Sequence, residues 1–160
     1  MGYEVDYFHA RLEWVEGDQG TTLDYGAYSR THHVKCPEKP EIVMSAAPQY
    51  KGSPILHNPE ELFTASIASC QMLTYLALAA FTKIRVLAYT DDAEGILKVD
   101  NRKKRWITRV ILRPKILITE ESDPEKALSL VERAHKQCFI ASSVNTEIIN
   151  EAEILTPSHP

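Results

Sequence analysis

The 160-residue sequence has few cysteines, no excess of basic charge and no internal repeat or low-complexity tract. Its three cysteines, Cys36, Cys70 and Cys138, are odd in number and widely spaced. This pattern excludes the disulfide framework of a small secreted scaffold. A net charge of −4 gives no reason to expect a nucleic acid or an anionic membrane as partner. The length and composition predict one soluble domain, residues 1–160.

The N-terminal sequence "MGYEVDYFHA" lacks a cationic region followed by an apolar run, so we expect no secretory signal. Asp6 stands where the myristoylation pattern requires serine or threonine. We therefore expect a cytoplasmic protein whose thiols are kept reduced. In that compartment a cysteine is either buried filler or a chemical group.

Twenty consecutive residues without a charge, Leu62 to Phe81, are long enough to span a bilayer. Their content favours a soluble helix, because five are alanine and the polar residues are Thr64, Ser66, Ser69, Gln71 and Thr74. Asn58 is a suitable N-cap, Pro59 suits the first helical position, and Glu61 completes a capping-box pattern. The sequence predicts a helix from about Pro59 to Phe81. One sheet covers only part of a helix this apolar, so we expect a second copy of the chain to cover the remainder in a homodimer.

The remaining segments predict strands and one more helix. Strands are expected at "HARLEWV", "TTLDYGAY" and "EIVMSA", with a turn at "GDQG" between the first two. In the first of these, Ala10, Leu12 and Trp14 are expected to face a core. A long hairpin is expected around the basic turn "DNRKK", which we interpret as a solvated tip. A second helix follows Asp123, then a last strand "TEIINEAEIL" and a frayed "PSHP" tail. The order predicts a single α+β domain.

Taken one at a time, Cys70 and Cys138 are most simply small hydrophobic residues in helices. Read together, "NPEELFTASIASC" and the later "AHKQCFIASS" resemble two motifs of the OsmC/Ohr family, the osmotically inducible and organic hydroperoxide resistance proteins. Cys70 lies ten residues after Glu60, and Ala134, His135 and Cys138 match the Ala-His-x-x-Cys motif. The resemblance covers most of the chain.

The resemblance implies an OsmC-like fold, with antiparallel sheets around a long buried central helix in an intertwined homodimer. It also implies a thiol peroxidase without a cofactor, in which Cys70 reduces an organic hydroperoxide and becomes a sulfenic acid. Cys138 would then form a disulfide with Cys70, and an external dithiol, such as a lipoyl protein, would reduce it. Family members also use an arginine held by the glutamate that opens the helix. Here these match Arg30, with Arg11 as the fallback, and Glu60.

Helix electrostatics favour the same roles as the resemblance does, with Cys70 as the attacking cysteine and Cys138 as the resolving cysteine. Cys138 lies at the C-terminal end of the second predicted helix, where the dipole disfavours a thiolate, and this suits a resolving cysteine. Cys70 lies three turns inside its helix, so we expect a cation such as Arg30 to activate it. Glu60 is about 15 Å from Cys70 along a straight helix, at ~1.5 Å per residue. Either the arginine bridges a longer path within one chain, or Glu60 of the partner subunit serves Cys70 with the central helices antiparallel. We expect the second arrangement.

Several alternatives stay open on the sequence alone. Glu60 is equally well explained as a helix-terminus carboxylate, and Arg30 as an exposed arginine on a strand. Zinc ligation by Cys70, His135 and Cys138, or by the histidine pair near Cys36, lacks the paired spacing of known sites. A non-catalytic protein that binds an apolar small molecule on the same fold is the main alternative function. Leu73, Phe139 and Ile140 are the expected lining of the thiol site.

Overall fold

The computed structural model describes residues 5–17 and 20–157. The fold is mixed α+β with a long helix, as predicted, and its strands form three sheets. The chain divides into two compact units, Met1–Leu62 and Phe63–Pro160, which are described in turn. The single domain expected for residues 1–160 stays a prediction.

The first unit contains one antiparallel three-stranded sheet in the order β1-β2-β3. Its strands are β1 (Arg11–Glu13), β2 (His32–Lys35) and β3 (Ile42–Met44). The first and third lie within the predicted strands "HARLEWV" and "EIVMSA". The predicted burial of alternate residues in "HARLEWV" is wrong for the single chain, since Leu12 is 68% exposed and Trp14 is 41% exposed.

The segment "TTLDYGAY" forms turns, so the strand predicted there is wrong. Asp24 explains this, because its Oδ1 accepts the Gly26 N–H at 2.7 Å in an Asx turn. A second local hydrogen bond, from the Leu23 N–H to Thr21 Oγ1 at 3.3 Å, also favours a turn over a strand. In the predicted "GDQG" turn, residues 18 and 19 lie outside the described residues.

The long helix α1 (Pro59–Thr82) has the predicted start. Its capping box is present: Asn58 Oδ1 accepts the Glu61 N–H at 2.9 Å, and Glu61 Oε2 accepts the Asn58 N–H at 3.2 Å. The length and composition of α1 would allow it to cross a membrane, but the core helix of a soluble protein meets the same criteria. Of the apolar stretch of α1, 28% is buried. The buried residues are Ile67, Gln71, Tyr75, Leu78 and Ala79.

The second unit is built on the predicted hairpin, whose two arms each divide into two strands. The first arm forms β4 (Val86–Asp91) and β5 (Glu94–Val99), and the second forms β6 (Arg105–Leu112) and β7 (Pro114–Ile118). β5 pairs with β6, and β4 pairs with β7, both antiparallel. The breaks between the strands of each arm therefore distribute one hairpin over two sheets.

The C-terminal part begins with α2 (Pro124–Gln137), which follows Asp123 as predicted. Asp123 caps this helix, since its Oδ1 accepts the N–H groups of Glu125 and Lys126. The short helix α3 (Phe139–Ser142) follows directly. The predicted last strand is two strands, β8 (Glu147–Asn150) and β9 (Glu153–Leu155).

These last strands pair parallel to β6 and β7, respectively, so both sheets of the second unit are mixed rather than antiparallel. The tail was predicted to be frayed, but its residues 158–160 lie outside the described residues.

Two apolar clusters hold α1 in the second unit. The larger joins the C-terminal half of α1 to α2, β4 and β7, and the smaller joins Ile67 to Val110 and Leu112 of β6. The apolar face of α2 is buried, and its members are Ala127, Val131, Ala134 and Cys138. The packing leaves Cys70 between the two clusters along α1, beside the end of α2.

Candidate active site

Cys70 lies on a half-buried position of α1, at the wall of an open groove of about 890 Å³ in the second unit. The groove is mainly apolar, and α1 forms one side of it. The other side comes from the end of α2 and from α3. Of the three predicted lining residues, Leu73 and Phe139 line this groove. The lining residues are Ser66, Ser69, Cys70, Leu73, Thr74, Ala77, Lys136, Gln137, Phe139 and Ser142.

Cys138 is the junction between α2 and α3, and it is fully buried. Its backbone leaves the helical region, with φ −71° and ψ 116°, so it ends one helix and begins the next. Cys138 Sγ accepts the N–H of Ala141 at 3.4 Å and thereby caps α3. Its carbonyl accepts the N–H of Ser142 at 3.0 Å. These bonds fix the thiol at the junction of the two helices.

The structure brings the two cysteines together, since the Cys138 thiol donates a hydrogen bond to Cys70. Burial acts to raise the pKa of Cys70, but hydrogen bonds from Cys138, from the Ile140 and Phe139 N–H groups and from Thr74 outweigh it, so the net pKa is lowered. Burial, the bond to Cys70 and the negative charge of Cys70 raise the pKa of Cys138. Cys70 is thus the better thiolate, and Cys138 the thiol that stays protonated.

The donors that lower the pKa of Cys70 are neutral groups, whereas the sequence led us to expect a cation. Two of them are backbone N–H groups, of Phe139 and Ile140, which no side-chain motif reveals. Another of these donors, Thr74, is recognisable from the sequence, because residues four apart share a helix face. Its position beside the thiol is therefore a feature that the sequence contains but that the prediction above leaves out.

The residues predicted to activate Cys70 lie in the first unit, where Arg30 and Glu60 line one cavity of about 750 Å³. Arg30 donates hydrogen bonds to the carbonyl oxygens of Tyr25 and Tyr28. Its Cζ lies 3.8 Å from the ring centroid of Tyr28 and 4.8 Å from that of Tyr25. The guanidinium is therefore held by two carbonyl groups and two aromatic faces.

The fallback arginine, Arg11, is exposed and lies 4.0 Å from a carboxylate oxygen of Glu13. It is absent from the residues that line the cavity of the first unit. In residues 5–17 and 20–157, no three His, Cys, Asp or Glu side chains are grouped so as to hold a metal ion. Cys36 is half-buried. Within that part of the chain, neither set of residues considered for zinc is therefore grouped as a metal site.

Comparison with known proteins identifies the family. The family model for OsmC-like proteins matches residues 52–152. The chain belongs to the OsmC-like family. The matched range includes Glu60, Cys70 and Cys138, but Arg30 lies outside it. Among the curated proteins, none matches this sequence.

Solved structures of OsmC-like proteins share the fold. An OsmC-like protein of unknown function from Vibrio cholerae is 33% identical, with a TM-score of 0.85 over 93% of this chain and 100% of that chain. An organic hydroperoxide resistance protein from Elizabethkingia anophelis is 19% identical, with a TM-score of 0.70 over 96% of this chain and 99% of that one. The organic hydroperoxide resistance protein OhrB of Bacillus subtilis is 18% identical, with a TM-score of 0.63 over 93% of this chain and 98% of that one. The last two likenesses concern the fold alone.

Proposed function

We propose that this OsmC-like protein is a two-cysteine thiol peroxidase that reduces organic hydroperoxides. The observation that carries the proposal is the position of Cys70 in the groove beside the α2–α3 junction formed by Cys138. There a hydrogen bond between the two side chains lowers the pKa of Cys70 and raises that of Cys138. Peroxide reduction needs a thiolate beside a second thiol that stays protonated until the first has reacted. The names of two structural neighbours, organic hydroperoxide resistance proteins, support the substrate class.

The proposed cycle has three steps. The Cys70 thiolate attacks the outer oxygen of the hydroperoxide, the O–O bond breaks, and the alkoxide takes up a proton to leave as an alcohol. Cys70 is now a sulfenic acid, and Cys138 attacks its sulfur to form the disulfide and release water. An external dithiol then reduces the disulfide by exchange and is itself oxidised. Two electrons pass from the dithiol to the hydroperoxide in each cycle, with no cofactor.

We propose that the enzyme works as a homodimer in which a second copy covers the exposed face of α1. The face is marked by Leu73 and Phe81, which are 61% and 83% exposed, with Ala77 exposed between them at helical spacing. Exposed apolar side chains in one row are typical of an interface. A second α1, packed antiparallel, would bury them.

In this dimer, Arg30 and Glu60 of the partner subunit serve Cys70. The ten-residue separation of Glu60 and Cys70 on one helix supports an intersubunit arrangement. Arg30 is proposed to stabilise the negative charge that develops on the departing alkoxide, as a charged donor does in a water-poor site. Its hydrogen bonds to Tyr25 and Tyr28 would orient the guanidinium for this task.

The test is steady-state consumption of several hydroperoxides with dithiol reductants. It compares the wild type with Cys70→Ser, Cys138→Ser and the control Cys36→Ser. We expect Cys70→Ser to abolish turnover and Cys138→Ser to permit oxidation of Cys70 without intrachain disulfide formation. Cys36→Ser should be unaffected. One equivalent of hydroperoxide should remove two free thiols per chain in the wild type. Full activity of Cys70→Ser would refute the proposed mechanism.

A second candidate function, binding of an apolar small molecule, is favoured by the cavity of the first unit. Its walls include four aromatic side chains, Trp14, Tyr25, Tyr28 and Tyr50. Aromatic rings around a mainly apolar space are typical of ligand sites. If this is the function, hydroperoxide should leave the thiols unchanged. An apolar fluorescent probe should then bind to the wild type and more weakly to Tyr28→Ala.

A further inference from the structure

The side chain next to Cys70 on the groove side of α1 is Thr74, one helical turn further along the chain. Both residues line the groove, and both are half-buried. The Thr74 hydroxyl donates to the carbonyl oxygen of Cys70 at 2.9 Å. A hydrogen bond from the Thr74 side chain also helps to lower the pKa of Cys70. Thr74 is thus positioned to bond either the backbone or the side chain of the same residue.

The hydroxyl of Thr74 has one proton and two acceptor lone pairs, so its bonds depend on the charge of its neighbour. While Cys70 is a thiol, the hydroxyl gives its proton to the carbonyl oxygen and can accept the S–H. Once Cys70 is a thiolate, sulfur can only accept, and a charged acceptor attracts a donor more strongly than a carbonyl oxygen does. A rotation about the Thr74 side-chain bond is enough to change the partner.

We propose that Thr74 is a positioning residue of the proposed peroxidase, whose hydroxyl turns from the Cys70 carbonyl oxygen to the Cys70 sulfur when the thiol ionises. The inference rests on the proposed function for its purpose, but the hydrogen bond itself can be tested without any peroxide. The donated bond stabilises the thiolate and holds the sulfur toward the groove, where the hydroperoxide would approach.

Two substitutions separate the hydroxyl from the shape of the side chain. Thr74→Val keeps the branched shape and removes the donor, whereas Thr74→Ser keeps the donor and removes a methyl group. Thr82 on the same helix provides the matched control, since its hydroxyl donates to the Leu78 carbonyl oxygen at 2.8 Å in the same way. Thr82→Val therefore reports what loss of such a hydroxyl does to α1 itself.

The experiment measures the rate of Cys70 alkylation by monobromobimane against pH, in a Cys36→Ser background, with the modified peptides resolved by mass spectrometry. Thr74→Val should slow alkylation at pH 7 by roughly three- to tenfold, the effect of one lost hydrogen bond. Its rate should approach that of the parent at high pH, where every Cys70 is ionised. Thr74→Ser and Thr82→Val should both follow the parent.

The pH dependence decides between a role in ionisation and a merely structural one. A Thr74→Val profile identical to that of the parent overturns the proposal, and so does one lowered equally at all pH values. Loss of Thr74 function and loss of peroxidase function are distinguishable, because alkylation uses no hydroperoxide. If the wild type consumes no hydroperoxide while Thr74→Val still shifts the profile, the proposed function fails and the role of Thr74 stands.

Discussion

Cys138 donates a hydrogen bond from its thiol to Cys70, and this bond acts in opposite directions on the two residues. It lowers the pKa of Cys70 and raises that of Cys138. The cap that Cys138 provides for Ala141 at the start of α3 holds the donor in place. The residue proposed to resolve the sulfenic acid therefore also helps to make the thiolate that forms it.

The first prediction concerns this bond. Cys138→Ala removes the donor, so the pKa of Cys70 should rise and its alkylation at pH 7 should slow by roughly three- to tenfold. Cys138→Ser provides the matched control, because a hydroxyl can still donate to the Cys70 thiolate. Alkylation rates of Cys70 against pH, in a Cys36→Ser background, measure the effect. Equal profiles for Cys138→Ala and the parent would contradict the prediction.

The elements that the sequence predicts best are those set by local chemistry. The start of α1 follows from Asn58 and Glu61, whose side chains satisfy N–H groups within one turn. The start of α2 follows from Asp123 for the same reason. Such caps depend on neighbours three residues away or fewer, so they can be recognised in a linear sequence.

The features that the sequence does not predict depend on distant pairing or on backbone groups. β8 and β9 read as one strand, and only their pairing with two different strands divides them. The N–H groups that contact Cys70 come from Phe139 and Ile140, because the chain leaves α2 at Cys138 and turns into α3. Backbone donors have no residue-type signature in a sequence, so side-chain types alone predict a cation beside Cys70 and not these N–H groups.

The second prediction concerns Gly52, in the loop that follows β3. A Cβ at Gly52 would lie 1.5 Å from the carbonyl oxygen of Ala46, so the backbone itself would have to move. Gly52→Ala should cost roughly 3 kcal/mol, the upper part of the range for single substitutions. Gly17→Ala is the control, because a Cβ there meets no described atom within 4 Å. Chemical denaturation measures both, and equal midpoints would refute the prediction.

The third prediction concerns Asp91, at the end of β4. Burial, together with the charge of Asp92, raises the pKa of Asp91 against the lowering effects of the Arg113 N–H and guanidinium. A carboxyl group with a raised folded-state pKa favours folding when protonated. The contribution of this carboxyl group to the free energy of unfolding is present below its ordinary pKa of 3.8. It is lost as the pH rises from 3.8 through the raised folded-state pKa.

Asp91→Asn should therefore raise Tm relative to the wild type at pH 7 and have little effect below pH 3.8. In the wild type, Asp91 Oδ1 accepts a hydrogen bond from the Arg113 N–H at 2.7 Å. The amide oxygen of the asparagine can accept the same bond. Glu132→Gln, at an exposed position of α2, makes the same charge change and should show no such pH dependence. Thermal melts between pH 3 and pH 8 measure the difference. A Tm difference that is constant with pH would exclude the titration of Asp91 as its cause.

The fourth prediction tests the proposed dimer through Phe81, near the end of α1. Phe81 is 83% exposed in one chain, so Phe81→Glu should leave the folded monomer intact. In the dimer the new carboxylate would be buried against an apolar surface, at a high desolvation cost. Size-exclusion chromatography with light scattering should therefore give a mass near 18.1 kDa for the variant and twice that for the wild type.

Leu128→Glu provides the matched control for that substitution, because Leu128 is a 50% exposed apolar residue that belongs to α2 and not to the row of Leu73, Ala77 and Phe81 on α1. It should remain dimeric with unchanged peroxidase activity. Because Arg30 and Glu60 of the partner subunit are proposed to serve Cys70, the Phe81→Glu monomer should lose hydroperoxide turnover. Its Cys70 alkylation should persist, since the neutral donors to Cys70 belong to the same chain. A monomer that retains full turnover would show that each chain holds a complete site.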